Sequence, residues 1–190
     1  MTRHRIEVDL PRWLDEVMDS TLTLRSREER MDAAVDLARR NITQGTGGPF
    51  GALVVERDSG RLVAAGVNLV LASRNCTAHA EMVAIELAER RIGAFDLGAV
   101  DAGLELVSSV DPCAMCLGAV VWSGVSSLLC GAPSSAAAAV GFDEGPRPAD
   151  WVAQLECRGI EVVRGVKADA AESVLVAYAE SGGTVYNPSR

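Results

Sequence analysis

Hydrophobic positions along this chain fall into helical and strand-like periods in turn. Met31, Ala34, Val35 and Ala38 recur at three- and four-residue steps within residues 25–44, with charges between them, and predict a helix with one buried face. The run GTGGP at 45–49 stops it. Two short β-rich runs, GALVVER at 51–57 and RLVAAGVN at 61–68, are joined through Asp-Ser-Gly and predict a hairpin. A helix follows over 77–91 with Thr77 placed to cap it, then a third strand over 103–109. A short apolar helix over 112–124 carries Pro112 in its first turn, and residues 125–131 form a fourth strand. The chain closes with a helix at 151–159, a fifth strand at 159–165 and a helix at 168–181 that Gly182 and Gly183 stop. Residues 1–24 read as an N-terminal extension in which Pro11 and WLDEVM suggest a short helix, ahead of one domain over 25–187. The alanine run at 136–139 is too short to carry weight.

Strands that alternate with helices after an opening hairpin predict an α/β domain, with helices on both faces of one sheet. At 190 residues the chain is one domain, large enough to hide roughly 70% of its unfolded surface and to need no disulfide staples. The formal charge of −8 argues against a partner made of phosphates. Arg3, Arg5, Arg12, Arg25, Arg27 and Arg30 crowd the N-terminal end, but Asp15, Glu16, Asp19, Glu28 and Glu29 lie among them, so they read as a solvated, mixed-charge face. No aromatic stacking platform accompanies them, and a nucleic-acid partner is not expected. The first residues lack the apolar run of a signal peptide and no stretch has the length of a membrane span, so a cytoplasmic protein without membrane contact is expected. There disulfides are not expected, and the five cysteines are left to metal binding or core packing.

Two strings carry chemistry: His79-Ala80-Glu81, and Pro112-Cys113-Ala114-Met115-Cys116. Each opens a predicted helix, where free N–H groups and a partial positive charge favour thiolates. Cys113 and Cys116 lie three apart, so both sulfurs can point to one side of the first turn. One imidazole and two thiolates give three ligands, and a catalytic zinc keeps its fourth position for water. Glu81, one turn into the helix of His79, is placed to move that water's proton. A lone C-x-x-C also suits a redox pair or half of a structural zinc site, for which Cys76 or His4 would be the fourth ligand; neither needs Glu81. Cys76, Cys130 and Cys157 read as small buried hydrophobes.

H-x-E followed by P-C-x-x-C is the signature of the zinc-dependent deaminases. On these strings the chain resembles the cytidine deaminase-like superfamily over roughly residues 25–187. The resemblance implies a three-layer α/β/α fold, a five-stranded mixed sheet flanked by helices with strands four and five parallel, one catalytic Zn2+ per chain, and hydrolytic loss of an amino group. Further strings look like the guanine deaminase branch: Gly48-Pro49-Phe50-Gly51-Ala52, Asn68, Leu117-Gly118-Ala119 with Trp122, and Gly141-Phe142-Asp143-Glu144.

That branch implies a pocket for a nucleobase-like substrate and water, lined by Phe50, Gly51, Ala52, Asn68, Ser109, Trp122, Asp143 and Glu144. It further implies backbone near Ala52 and Ala80 positioning the ring, Tyr186 closing over it, and a homodimer, sometimes with exchanged C-terminal segments. The residues fit: Asn68 offers a donor and an acceptor, Asp143 or Glu144 can accept from ring N–H groups, and Phe50 or Trp122 can pack on a flat ring. Asp111 stands where the family usually has Glu, and Val110 where the branch often has a small thiol. Other bases, nucleosides and triazines remain alternative substrates. A tRNA adenosine deaminase is a rival within the fold, and a zinc-stabilised binding module is the rival without catalysis.

Overall fold

The computed structural model describes residues 7–188; Arg3 and Arg5 of the expected mixed-charge face, and His4, considered as a fourth ligand, lie outside them. Strands β1 (Gly51–Glu56) and β2 (Leu62–Val67) form the expected hairpin. With β3 (Leu104–Val110), β4 (Ser127–Ala132) and β5 (Glu161–Val163) they make one sheet in the order β2-β1-β3-β4-β5. β1 is antiparallel to both β2 and β3, whereas β3, β4 and β5 run parallel, so the sheet is mixed.

Strand alternation sends successive side chains to opposite layers. Leu53, Val55, Val107 and Leu129 face α1 (Arg12–Met18), α2 (Arg27–Thr43) and α8 (Ala168–Glu180). Ala52, Val54, Leu106 and Leu128 face α4 (Ala80–Ile92), α5 (Ala114–Ser123) and α7 (Trp151–Glu156). The stretch read as an extension is built into the first layer: Trp13 and Leu14 are buried in it, and Thr23 bridges to Arg61 beside β2. Two short helices, α3 (Val70–Ser73) and α6 (Ser134–Ala139), lie in stretches for which no element was expected. The alanine run is thus helical, with Ala137 buried against the core.

Local chemistry explains the element ends. Ser26 and Glu29 form a reciprocal capping box on α2. The expected cap of α4 is corrected: Thr77 bonds Asn75, and His79 takes the N-cap position without a side-chain cap bond, which leaves its imidazole free for other work. Gly66 on β2 lets α4 approach, since a Cβ there would sit 2.3 Å from the Ala80 carbonyl. Arg30 departs from the solvated face expected of it: it is 7% exposed, and its guanidinium bonds Glu105 at 2.8 Å and the carbonyls of Leu24 and Arg57. Among the described residues no helix is long and apolar enough to cross a membrane.

Candidate active site

The starts of α4 and α5 meet beyond the C-terminal end of β3. His79 and Cys113 are the N-cap residues of these helices, and Cys116 lies one turn into α5. His79 Nδ1 is 3.6 Å from Cys113 Sγ and 3.7 Å from Cys116 Sγ. A tetrahedral zinc, with bonds of roughly 2.3 Å to sulfur and about 2.05 Å to nitrogen, holds such ligands about 3.6 Å apart. The three donors, all within 4.8 Å of one another, therefore fit a zinc ion without rearrangement. The same observation disfavours the closed four-ligand site, because Cys76 is exposed and no fourth donor joins the group among the described residues.

Charge at the site matches that use. A hydrogen bond from Cys116 and the neighbouring His79 bring the Cys113 thiol down to about 4 against the cost of burial. Cys116 is pushed well up by its bond to Cys113 and by burial. Two sulfurs that share one proton behave this way, and a cation between them takes that proton's place. Glu81 is 7% exposed, and burial with the negative Cys113 raises its carboxyl above the usual range. Ser108 Oγ donates to its Oε1 at 3.2 Å.

A cleft of about 530 Å³ opens over these groups, and Phe50, Phe142, Asp143, Glu144 and Tyr186 are among its walls. The rings of Phe50 and Phe142 meet edge to face at 5.0 Å, and Tyr186 stands 6.3 Å from the His79 ring. Burial and the negative Cys113 and Glu81 push Glu144 up to about 8. Asn68 is buried beside the cleft, where its amide donates to the Tyr186 hydroxyl.

Several expected wall residues stand elsewhere. Trp122 is 84% exposed on the far side of α5 and does not reach the cleft. Gly51 and Ala52 lie within β1, where a Cβ on Gly51 would sit 2.3 Å from the Ala34 carbonyl, so its bareness serves the passage of α2. The side chain of Ala80 is fully buried in the second layer, while its backbone lies between His79 and Glu81, both of which line the cleft. Ser109 points away from Glu81 and its hydroxyl accepts from Gly51 N at 3.1 Å; its neighbour Ser108 makes the contact with Glu81. Cys130 is buried as expected, but Cys76 lies exposed at the cleft and Cys157 exposed at the end of α7.

Two residues without a motif join the site. Asn187 donates to the Gly141 carbonyl at 2.8 Å and accepts from Asp143 N at 3.0 Å, tying the acidic loop to the C-terminal segment. Asp111, just before Pro112, lines the cleft although 2% exposed.

Fold and metal-ligand geometry together define a zinc-dependent deaminase. Residues 24–132 match the cytidine and deoxycytidylate deaminase zinc-binding region, and the chain belongs to that family. It is 39% identical over 119 residues to the guanine deaminase of Bacillus subtilis, covering 63% of this chain and 72% of that protein. The solved guanine deaminase of Nitrosomonas europaea is 44% identical and superimposes with a TM-score of 0.91 over 95% of this chain and 99% of its own. The protein NE0047 in complex with 2,6-diaminopurine is 46% identical, with a TM-score of 0.92 over 96% and 97% of the two chains.

Proposed function

We propose that the chain hydrolyses guanine to xanthine and ammonia. The observation that carries this is the set of polar groups at the cleft beside the metal ligands: Glu81, Glu144 and Asp143, and Tyr186 bonded to Asn68, with Phe50 and Phe142 supplying flat apolar walls. Guanine offers ring N–H groups to carboxylates and a carbonyl and nitrogens to an amide. The relatives named as guanine deaminases support the same reading.

His79, Cys113 and Cys116 would hold a zinc ion, which would supply a water acidic enough to act as hydroxide near neutral pH. Glu81 takes the water's proton as oxygen attacks the ring carbon that bears the amino group. Its raised proton affinity suits it to deliver that proton to the adjacent ring nitrogen. It then carries the hydroxyl proton to the amine, so the C–N bond breaks, ammonia leaves and the water's oxygen remains on the ring as the carbonyl. Ser108 holds the carboxylate in line. The Phe50 and Phe142 rings exclude water from the other ring faces.

We further propose a cytoplasmic homodimer that binds no nucleic acid. Free cysteines fit a reducing compartment. The uncharged helix α5 leaves Trp122 and a groove with Met82, Met115 and Ala119 uncovered, a face suited to a second copy.

The test is ammonia release by zinc-loaded protein from guanine, guanosine, cytosine, cytidine, adenine and a triazine, with Glu81→Ala as blank. Release from guanine ahead of the others is expected, and release from another compound alone overturns the substrate. A gel shift with tRNA is expected to be negative.

A further inference from the structure

We propose that Asp111, Arg147 and Arg164 form an outer shell of the metal centre, in which Arg147 is the positioning residue that fixes the Pro112–Cys113 peptide and the Glu144 loop relative to each other. The ends of this shell come from distant parts of the chain. Arg164 follows β5 and clasps the Asp111 carboxylate with two arms, one of them Nε at 2.9 Å from Oδ1. Ser134 N adds a bond to Asp111 Oδ2 at 3.3 Å. Arg147 reaches past the same carboxylate, 4.0 Å from Oδ2, and donates Nη1 to the Pro112 carbonyl at 3.0 Å and Nη2 to Ser134 Oγ. Both guanidinium groups lie over the buried Trp151 ring, at 5.3 and 5.1 Å from its centroid.

The arrangement closes a ring of contacts. Ala114 N donates to the Glu144 carbonyl at 2.9 Å, and three residues on from Glu144 the Arg147 fork grips the carbonyl just before Cys113. Glu144 and the Cys113 ligand are thus joined at two points, and neither loop can move without stretching the Arg147 bonds. A buried carboxylate left unpaired is costly, so Asp111 keeps Arg164 bonded to it and favours the Arg147 charge 4.0 Å away. A fold that needed only packing here could use an apolar trio at no loss. A charged cluster that ends on the peptide carrying a metal ligand instead has the form of an outer coordination shell, which orients ligands and tunes the ion.

The inference rests on the deaminase reading for its activity readout, and its metal readout is independent of the substrate. Arg147→Met keeps the aliphatic stem and removes the fork. Zinc transfer from the loaded protein to a chromogenic chelator should then show affinity weakened by about 10–100-fold, with kcat reduced by at least about tenfold. KM should rise as well, because the Glu144 loop that Arg147 holds also lines the cleft. Arg147→Lys retains one donor toward Pro112 and should recover part of both losses. The proposal is overturned if Arg147→Met loses thermal stability while zinc affinity and kcat stay within about twofold of the parent. Should that variant not fold, the same two readouts on Arg147→Lys and Arg164→Met decide, and unchanged values in both overturn it. If the parent releases ammonia from no compound tried, zinc affinity alone decides.

Discussion

The side-chain amide of Asn68 donates to the hydroxyl of Tyr186, so the residue after β2 and one 118 positions later share a wall of the cleft. The contact fastens the C-terminal segment over the metal ligands. Tyr186→Phe removes the acceptor and leaves a buried amide unpaired, at a cost of about 1–3 kcal/mol. The loosened C-terminal segment is expected to lower kcat/KM, by no more than the roughly 5–150-fold that this cost is worth. Steady-state kinetics should find most of the loss in KM, because on the proposed reading the tyrosine closes over the ring and transfers no proton.

Glu81 and Ser108 make a graded pair. Glu81→Ala should keep zinc and lose about 10²–10⁴-fold in kcat, the usual worth of a positioned proton carrier. Ser108→Ala removes only the bond that orients the carboxylate, so a loss of about tenfold is expected. Elemental zinc analysis beside the rates checks both, and near-normal turnover in a zinc-replete Glu81→Ala protein contradicts the assigned role.

His79→Ala and Cys113→Ala should each abolish stoichiometric zinc, since either leaves two of the three donors. Incubating the parent with a chelator should produce the same metal-free, inactive state. Readdition of zinc should restore activity to the parent and not to the variants. Full metal occupancy in either variant refutes its place in the ligand set.

The strands were legible in the sequence because each is a short β-rich run bounded by turn residues, and the metal site because its spacing survives as a string. What escaped depends on direction in space. Ser108 and Ser109 differ by one step along β3, and only the pairing of Ala52 with Ser108 says which one faces Glu81. Trp122 was within reach of arithmetic: six residues past Cys116 at roughly 100° each is about 240° around the helix, away from the buried side. Arg147 and Asn187 have no motif at all, because the contacts that tie them to the site lie far away in the chain, and Asp111 showed only as a departure from the family's Glu. The helix at Ser134–Ala139 was hidden by its monotony, as alanine favours a helix without marking a face.

The Arg30–Glu105 pair anchors α2 to the sheet from inside, with side chains only 8% and 4% exposed. Arg30→Met leaves Glu105 buried and opposed only by the Ser127 hydroxyl. Removing one partner of such a pair costs about 3–5 kcal/mol, whereas replacing both with apolar residues is often neutral. Urea unfolding should therefore show a sharply lowered midpoint for Arg30→Met, largely recovered in Arg30→Met with Glu105→Leu. Equal midpoints for parent and single variant would mean the pair adds nothing to stability.

Trp122 gives the last test. A tryptophan 84% exposed beside Met82, Met115 and Ala119 offers an apolar surface with no charge from its own helix. Burying a side chain of this size covers on the order of 150–250 Å², and in a two-fold dimer the same residue contributes from both copies. Trp122→Glu would put two carboxylates into that interface without touching the metal ligands. Light scattering should find the parent at twice the chain mass and Trp122→Glu at the chain mass, with zinc retained. A parent that stays monomeric at micromolar concentration removes the dimer, and a dimer that survives Trp122→Glu puts its interface on another face.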